Sequence, residues 1–288
     1  MTKRALVLGG GGSVGVAWEI AILAGLLEGG CDVRDADVVV GTSAGSIVGA
    51  WVAHRQDLAA RMRDRGRPER AAASPPPMRP DPAAVGEIFR LWGGFDAMTP
   101  ERSARVGALA RKAPTASQEE MLATFIDDGA GWPKTPLLVC ATDCESGELR
   151  TFTKDEGVPI NVACAASCSV PGLFPSVEVG GRWYTDGAVR SWTSADTVVP
   201  FAPDRVLMVA PAGIEGGAGV RGLAWRQADN EMRLLREQGI DVRLIDFDDA
   251  ARAVGQNLMD AESARLSGEA GFEHGKRIAA EIGAWWRA

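Results

Sequence analysis

Short apolar runs alternate with longer, helix-like segments along much of this chain. The first run, Arg4 to Leu8, is typical of a buried strand, and four glycines and a helix over about Ser13 to Leu27 follow it. A second strand over Asp37 to Val40 leads into a helix from about Ala44 to His54. Because both strands enter helices through glycine-rich turns, the pattern predicts an α/β fold with helices on both faces of a sheet.

Further strands are predicted in the second half of the chain. They are Pro136–Ala141, Glu148–Phe152, Ser176–Val179, Arg182–Thr185, Asp204–Val209 and Asp241–Phe247. Gly180 and Gly181 lie between two of these strands and are typical of a two-residue hairpin turn. From about Val254 onwards the pattern is helical, and we expect this last segment to pack across the sheet.

The segment 56–118 breaks the alternation. It is rich in arginine from Arg61 to Arg70 and in proline from Ser74 to Pro82, so it contains no convincing strand and cannot form a single helix. We expect an insertion with two or three short helices and a flexible connector, within one domain over residues 1–288. Three roles are open for it: a lid over an active site, a basic contact for an anionic membrane surface, or a solvated connector.

The composition narrows the class of protein. Hydrophobic residues make up 46% of the chain and charged residues 24%, which is typical of a soluble globular protein. The net charge of −7 argues against a broadly basic surface for nucleic acid. No apolar run reaches the roughly 18 residues of a membrane helix, and Ala5 to Leu8 is too short for a signal-peptide core. We therefore expect a cytoplasmic protein that does not bind nucleic acid.

The five cysteines are an odd number in a chain without an export signal, so we expect reduced thiols. Two C-x3-C pairs look like halves of a metal site, namely Cys140 with Cys144 and Cys164 with Cys168. Each pair lies at a predicted strand end or among small residues, where cysteine acts as a small apolar side chain. We expect no metal and no cofactor.

A glycine-rich loop, Gly9 to Gly15, joins the first strand to the first helix. Glycines let the backbone approach a ligand, and the free N–H groups of the helix N-terminus make such a loop an anion cradle. Gly10 to Gly15 also match G-x-G-x-x-G, the dinucleotide-binding pattern. A dinucleotide site would need an acidic residue at the end of the next strand, whereas the run Val38 to Val40 ends in glycine.

The second strand is followed by Gly41-Thr42-Ser43-Ala44-Gly45, a G-x-S-x-G sequence between strand and helix. In a nucleophile elbow, a serine projects its hydroxyl from a sharp turn, and the flanking glycines give clearance to the crowded backbone. The alternative is a tight turn in which Ser43 or Ser46 caps the helix. The strand on one side and the apolar helix on the other favour the elbow.

A serine nucleophile needs a base, and the chain contains only two histidines. His54 is roughly 16 Å from Ser43 along the predicted helix, and His274 lies in the helical C-terminal region. A Ser-His-Asp triad is therefore disfavoured. Asp186, at the end of the strand Arg182 to Thr185, is the candidate base, although an Asp-Gly pair by itself is most often a turn. A dry site would raise the basicity of this carboxylate.

The glycine-rich loop, the G-x-S-x-G turn and Asp186-Gly187-Ala188, in this order, resemble the patatin-like phospholipase family. The resemblance extends to Ala165-Ala166-Ser167, to the block Val170 to Pro175 and to the hairpin Leu137 to Phe152, and in all it covers about residues 3–55 and 135–212. It implies a three-layer sandwich with a central, mostly parallel sheet.

The resemblance also implies roles for single residues. Ser43 would be the nucleophile, Asp186 its partner in a catalytic dyad, and the backbone N–H groups of Gly10, Gly11 and Gly12 the oxyanion hole. The other motif positions are Gly15, Gly41, Gly45, Gly187 and Ala188. The substrate would be a lipid or small ester, reached through transient contact with a membrane surface. A catalytically silent scaffold of the same fold and a dinucleotide-binding protein are the alternatives.

Two positions depart from the family pattern. The family's glycine loop usually has arginine or lysine where this chain has Val14. An Asn-Pro pair usually follows the Asp-Gly-Ala loop, whereas this chain has Arg190-Ser191-Trp192-Thr193. The missing cation weakens the expectation of a phosphate-bearing lipid and leaves ester cleavage unaffected.

Overall fold

An eight-stranded sheet forms the centre of the computed structural model, which describes residues 2–65, 80–122, 131–213, 215–254 and 257–288. The strands are β1 (Arg4–Leu8), β2 (Val38–Thr42), β3 (Leu137–Asp143), β4 (Leu149–Phe152), β5 (Val177–Val179), β6 (Arg182–Asp186), β7 (Arg205–Val209) and β8 (Asp241–Ile245). Their order is β5-β6-β3-β2-β1-β7-β8, and β4 also pairs with β3. The pairs β3-β2, β2-β1, β1-β7 and β7-β8 are parallel. The pairs β3-β4, β3-β6 and β5-β6 are antiparallel, so the sheet is mostly parallel as predicted.

Helices connect most of these strands. They are α1 (Gly12–Glu28), α2 (Ala44–Ala53), α3 (Leu58–Arg65), α4 (Pro82–Gly93), α5 (Pro100–Ala110), α6 (Gln118–Leu122), α7 (Ile160–Ser167), α8 (Gly219–Glu237), α9 (Asp249–Arg252) and α10 (Ala261–Arg287). Short 3-10 turns lie at Lys154–Glu156, Gly187–Val189 and Ala195–Phe201.

The central strands are buried on both faces, which explains why their sequences are nearly continuous apolar runs. On β1, Leu6 and Leu8 face a core shared with α1, α2 and α7. Ala5 and Val7 face the opposite core, which includes residues of α8. Helices therefore cover both faces of the sheet, and the predicted three-layer α/β fold is confirmed.

The strand register brings the two glycine-containing turns to one edge of the sheet. Leu8 of β1 pairs with Gly41 of β2 in a parallel ladder. Because the carboxyl ends of neighbouring parallel strands lie side by side, the glycine-rich loop after β1 and the turn after β2 are adjacent.

Asp186 reaches the same edge from the antiparallel part of the sheet. It is the last residue of β6 and pairs with Ala141 of β3. The preceding residue of β3, Cys140, pairs with Thr42 at the end of β2. Asp186 and Thr42, the residue that precedes Ser43, therefore lie on opposite sides of β3, at the same edge of the sheet.

The C-terminal helix does not pack as expected from its sequence. It packs along α1, where a Cβ on Gly275 would lie only 2.3 Å from the Ile22 carbonyl oxygen, and it reaches the sheet at the edge strand β8, where the Trp285 indole N–H donates to Asp241 Oδ2 at 2.6 Å. The prediction that this segment packs across the sheet is therefore wrong. Small residues on α10 let it approach α1 at a distance that larger side chains would prevent.

The described part of the insertion is helical and partly buried. Ile88 and Trp92 of α4 and Val106 of α5 belong to a core with Val189 and Trp192, which follow Asp186 along the chain. The solvated-connector interpretation is therefore wrong for α4 and α5. Residues 66–79, which hold much of the arginine-rich and proline-rich sequence, lie outside the described residues. Among the helices of the described part, none combines the length and apolar composition that a bilayer-spanning helix needs.

Candidate active site

Ser43 occupies a strained turn between β2 and α2, with φ 53° and ψ −119°. A positive φ is unusual for a residue other than glycine and costs about 1–3 kcal/mol. The turn also brings its backbone against β1: the Gly45 N–H donates to the Gly9 carbonyl at 2.9 Å, and a Cβ on Gly45 would lie 2.2 Å from the Leu8 oxygen. A Cβ on Gly41 would lie 2.5 Å from the Gly45 oxygen. The spacing of the G-x-S-x-G motif therefore follows from backbone clearance.

Hydrogen bonds hold the Ser43 main chain from both sides. Its N–H donates to Ser167 Oγ at 2.8 Å, and Ser167 Oγ donates to the Cys140 carbonyl at 2.6 Å. Its carbonyl accepts hydrogen bonds from Ser46 Oγ at 2.7 Å and from Cys168 Sγ at 3.1 Å. These contacts fix the turn from which the Ser43 side chain projects.

Sequence reasoning gave Ser167 and Cys168 no role at the site. The available signal was the block Ala165-Ala166-Ser167, which matched the family pattern without indicating what its serine contacts. Ser46 was considered as a helix cap, and its hydroxyl donates instead to the Ser43 carbonyl.

The Ser43 hydroxyl donates to Asp186 Oδ2 at 2.7 Å, across 143 positions of sequence. The other carboxylate oxygen, Oδ1, accepts the Ala188 N–H at 2.8 Å. Ser43 is 4% exposed and Asp186 is 1% exposed. Burial raises the pKa of the Asp186 carboxyl to about 7, against the smaller lowering effect of the hydrogen bonds from Ala188 and Ser43.

The main chain on both sides of Asp186 is also fixed. The Asp186 N–H donates to the Ser169 carbonyl at 3.0 Å, and its carbonyl accepts the Thr142 hydroxyl at 3.0 Å. A Cβ on Gly187 would lie 2.3 Å from the Cys140 carbonyl oxygen, so the sharp turn after the aspartate needs glycine.

Neither histidine contacts Ser43 or Asp186 through any hydrogen bond in the described residues. His54 caps the C-terminal end of α2, whereas Ser43 lies at its N-terminal end. His274 lies on α10, with Nδ1 3.7 Å from Asp248 Oδ2. Asp186 is therefore the ionisable group that meets the Ser43 hydroxyl.

The glycine-rich loop differs from the expectation at one of its three amides. The Gly10 N–H donates to the Trp192 carbonyl at 2.8 Å, so it is not available to a substrate oxyanion, and its predicted role is wrong in this structure. The N–H groups of Gly11 and Gly12 donate to no group within the described residues. The same holds for Ala44, the residue after Ser43 and the first residue of α2.

These unbonded amides belong to the N-termini of two adjacent helices. Gly15 of α1 packs beside Ala44 of α2, where a Cβ on the glycine would lie 3.1 Å from the Ala44 Cβ. Free N–H groups and the positive ends of two helix dipoles favour negative charge at such a place. The elbow motif itself was the signal for Ala44, because the residue after the nucleophile commonly donates to the oxyanion.

The segment before α10 covers the glycine-rich loop. The Leu258 carbonyl accepts the Val14 N–H at 3.0 Å. A Cβ on Gly12, whose φ is 59°, would lie 2.7 Å from the Leu258 oxygen and 2.9 Å from Met259 Sδ. Val14, which stands where the family usually has a cation, is buried at 2% exposure. Nothing in the sequence indicated that this segment reaches the loop.

A second carboxyl group lies beneath the glycine-rich loop. Glu19 of α1 is fully buried, and neither carboxyl oxygen has a hydrogen-bond partner of acceptable geometry in the described residues. Burial raises its pKa well above the ordinary value, while the neighbouring Gly9 backbone lowers it less. Burial therefore favours the neutral form of this carboxyl, which sequence reasoning did not single out.

All five cysteines lie within the described residues, are buried and form no disulfide. Burial raises the pKa of the Cys140 and Cys164 thiols to about 12. Within the described ranges, no group of three or more histidine, cysteine or acidic side chains is placed to hold a metal ion.

Solved structures of two other proteins are similar to this chain. The type III effector protein ExoU matches 97% of this chain and 53% of its own, with 16% sequence identity and a TM-score of 0.43. VipD from Legionella pneumophila matches 97% of this chain and 67% of its own, with 13% identity and a TM-score of 0.44. The chain thus spans about half the length of the ExoU chain. A search of curated proteins gave no match.

A family model named patatin-like phospholipase matches residues 6–199. The match begins in β1, includes the Ser43 turn and the Asp186 loop, and covers more than half of the 288 residues. The chain therefore belongs to the patatin-like phospholipase family.

Proposed function

We propose that this protein is a serine acyl hydrolase that cleaves carboxylic esters of lipids through a Ser43–Asp186 dyad. The observation that carries the proposal is the 2.7 Å hydrogen bond from Ser43 Oγ to Asp186 Oδ2, made from a strained strand-to-helix turn. Membership of a family of phospholipases supports lipid esters as the substrate class.

In the first half of the reaction, Asp186 accepts the Ser43 hydroxyl proton while Oγ attacks the ester carbonyl carbon. The pKa of about 7 makes Asp186 a stronger base than an ordinary aspartate and leaves it partly ionised at neutral pH. The N–H groups of Gly11, Gly12 and Ala44 stabilise the negative charge on the carbonyl oxygen. When the ester C–O bond breaks, Asp186 returns the proton to the leaving alcohol, and acyl-Ser43 remains.

In the second half, a water molecule takes the place of the alcohol. Asp186 removes one of its protons as the water oxygen attacks the acyl carbon, and the same amides stabilise the second oxyanion. The acyl–Oγ bond then breaks, the proton passes from Asp186 to Ser43 Oγ, and the carboxylic acid leaves. Serine and carboxylate return to their starting states.

The segment beside the proposed oxyanion site fits an apolar acyl group. The Leu258 main chain and the Met259 sulfur lie at Gly12. Apolar walls with a few polar groups are typical of sites for apolar ligands. The buried Val14 supplies no positive charge for a phosphate group, so the proposal includes neutral esters as well as phospholipids, taken from a membrane or lipid surface.

Covalent labelling with a fluorophosphonate tests the nucleophile. We expect the wild-type protein to be labelled at Ser43, and Ser43→Ala to be unlabelled although folded. Ser146→Ala removes the hydroxyl of an exposed serine and serves as the matched control, which should be labelled like the wild type. Hydrolysis of p-nitrophenyl esters and of phosphatidylcholine vesicles then ranks the acyl donors.

Asp186→Asn tests the base. We expect this variant to fold and to lose turnover, because an amide cannot accept the Ser43 proton. Full esterase activity in Asp186→Asn would refute the dyad. A folded wild-type protein that neither reacts with the fluorophosphonate nor cleaves any ester would instead indicate a catalytically silent scaffold.

A further inference from the structure

Trp192, in the loop where this chain departs from the family's usual Asn-Pro pair, lies against the glycine-rich loop. Its carbonyl accepts the Gly10 N–H at 2.8 Å, and a Cβ on Gly10 would lie 3.3 Å from its indole ring. The indole Nε1–H donates to the Pro211 carbonyl at 3.1 Å. Trp192 is 6% exposed, so both its ring and its main chain are enclosed.

Gln227 of α8 binds the main chain on both sides of this contact. Its Oε1 accepts the Trp192 N–H at 3.1 Å, and its Nε2 donates to the Arg190 carbonyl at 2.9 Å. One side-chain amide therefore satisfies two backbone groups of a loop that belongs to no strand or helix. Such a loop has few other means of keeping one conformation.

Glu231 binds the same loop from the next turn of α8. Its carboxyl oxygens accept hydrogen bonds from the Ser191 and Thr193 hydroxyls and from the Ala195 N–H. Because Gln227 and Glu231 are four residues apart, they lie on one face of the helix. That face of α8 thus holds the loop on both sides of Trp192.

The next residues after Gly10 carry the amides proposed to stabilise the oxyanion. Glycines have no side chain to restrict them, so the orientation of Gly11 and Gly12 depends on what holds their neighbours. An oxyanion donor is effective only when it is already oriented towards the developing charge. The Gly10–Trp192 hydrogen bond supplies a fixed point directly before these amides.

We propose that Trp192 is a positioning residue that orients the Gly11 and Gly12 amides through Gly10, and that Gln227 and Glu231 hold Trp192 in place. The inference rests on the proposed function, since it assigns a support to the same site. Two residues of α8 that do not touch the substrate would therefore help to orient the oxyanion donors.

The test uses substitutions that remove hydrogen bonds without leaving a large cavity. Gln227→Met keeps the size of the side chain and removes both contacts with the loop. Gln227→Glu restores the acceptor for the Trp192 N–H alone. Trp192→Phe removes the indole hydrogen bond to Pro211 and keeps an aromatic ring. Asn230→Met makes the same type of change at an exposed position of α8 and is the matched control.

Two readouts separate positioning from a general structural role. A soluble ester gives kcat and KM, and an alkyl trifluoromethyl ketone gives an inhibition constant for an adduct whose oxyanion occupies the proposed hole. We expect Gln227→Met and Trp192→Phe to lower kcat/KM about tenfold through kcat, less than the loss of a whole donor. The ketone should bind more weakly by the same factor. Gln227→Glu should recover part of the loss, and Asn230→Met should match the wild type.

The outcomes distinguish this inference from the proposed function. If the wild type hydrolyses esters while both variants keep their kcat and their affinity for the ketone, the positioning role is refuted and the hydrolase stands. A lower free energy of unfolding without any change in ketone affinity also refutes the positioning role, because it describes a structural contact only. If the wild-type protein has no esterase activity and no affinity for the ketone, both proposals fail.

Discussion

The two strand-to-helix turns at the candidate site have the same architecture but differ in which of their backbone groups are hydrogen-bonded. Both follow adjacent parallel strands, and both begin a helix at the same edge of the sheet. At the Ser43 turn the main-chain N–H and carbonyl are both bonded, to Ser167 and to Ser46 and Cys168. At the glycine-rich loop, the N–H groups of Gly11 and Gly12 donate to no described group.

This difference corresponds to what each turn must present. A nucleophilic side chain needs a rigid support, and both main-chain polar groups of Ser43 are hydrogen-bonded. An oxyanion site needs donors that are unused but oriented, so the loop is fixed at Gly10 and left free immediately after it. The same strand-turn-helix unit therefore presents a nucleophile in one case and oxyanion donors in the other, depending on which of its backbone groups are hydrogen-bonded.

The largest expected effect comes from Gly45→Ala, which disrupts the close packing between the two turns. The new Cβ would lie 2.2 Å from the Leu8 oxygen, a distance that only movement of the backbone can relieve. We expect the free energy of unfolding to fall by about 3 kcal/mol, as measured by urea denaturation, and the esterase activity to be lost.

Gly86→Ala is the matched control for this change. Gly86 is an exposed helical residue of α4, and a Cβ there would meet no atom within 4 Å. Alanine should therefore raise stability by up to about 1 kcal/mol through helix propensity. Equal effects of the two substitutions would refute the role assigned to close packing at Gly45.

The second effect is the pH dependence of kcat/KM, which Asp186, the partner of Ser43, should control. Because burial raises the pKa of Asp186 to about 7 and the base acts in its ionised form, kcat/KM should rise with pH and level off above about 7. Below that value it should fall about tenfold per pH unit. A pH–rate profile that stays level down to pH 5 would contradict the assignment of Asp186 as the base.

The third effect concerns the bonded backbone of the Ser43 turn. Ser167→Ala removes the acceptor of the buried Ser43 N–H, and we expect a loss of about 1–3 kcal/mol in the free energy of unfolding, together with a lower kcat. Ser103→Ala is the control, because Ser103 is equally buried and its hydroxyl has no partner in the described residues. If both variants lose the same stability, the hydrogen bond to Ser43 has no special weight.

The smallest effect is expected below the glycine-rich loop. Glu19→Met removes a buried carboxyl whose oxygens have no hydrogen-bond partner of acceptable geometry among the described residues, which should raise the free energy of unfolding by about 1 kcal/mol at pH 5. The unfolded chain releases this proton near pH 4.5, whereas burial raises the pKa in the folded state, so wild-type stability falls as the pH rises above 4.5. The gain should therefore be larger at pH 8 than at pH 5. Glu28→Met, an exposed change on the same helix, should show no such increase.

The sequence predicted the sheet well because its signals are local. The run Arg4–Leu8 is a strand with the predicted ends, and the hairpin at Gly180 and Gly181 joins β5 to β6 with Val179 paired to Arg182. The last predicted strand, Asp241–Phe247, ends two residues earlier, at Ile245. Apolar runs and glycine pairs depend on neighbours in sequence, and a single chain is enough to interpret them.

The contacts that the sequence did not predict come from distant backbone groups. The Trp192 carbonyl that occupies the Gly10 N–H and the Leu258 carbonyl at Val14 are main-chain atoms, which every residue type possesses. No composition or spacing identifies such partners. The packing of α10 on α1 was missed for a related reason, because glycines such as Gly275 are compatible with a turn, a flexible segment or a close helix contact.

Because of the positive φ at Ser43, thermal stability and catalysis favour different residues at this position. Glycine adopts this backbone conformation without the penalty that serine incurs, so Ser43→Gly would relieve local strain while it removed the hydroxyl. A screen that rewarded only resistance to heat would favour that dead variant over the natural chain. A serine at this position is thus kept against the preference of the backbone.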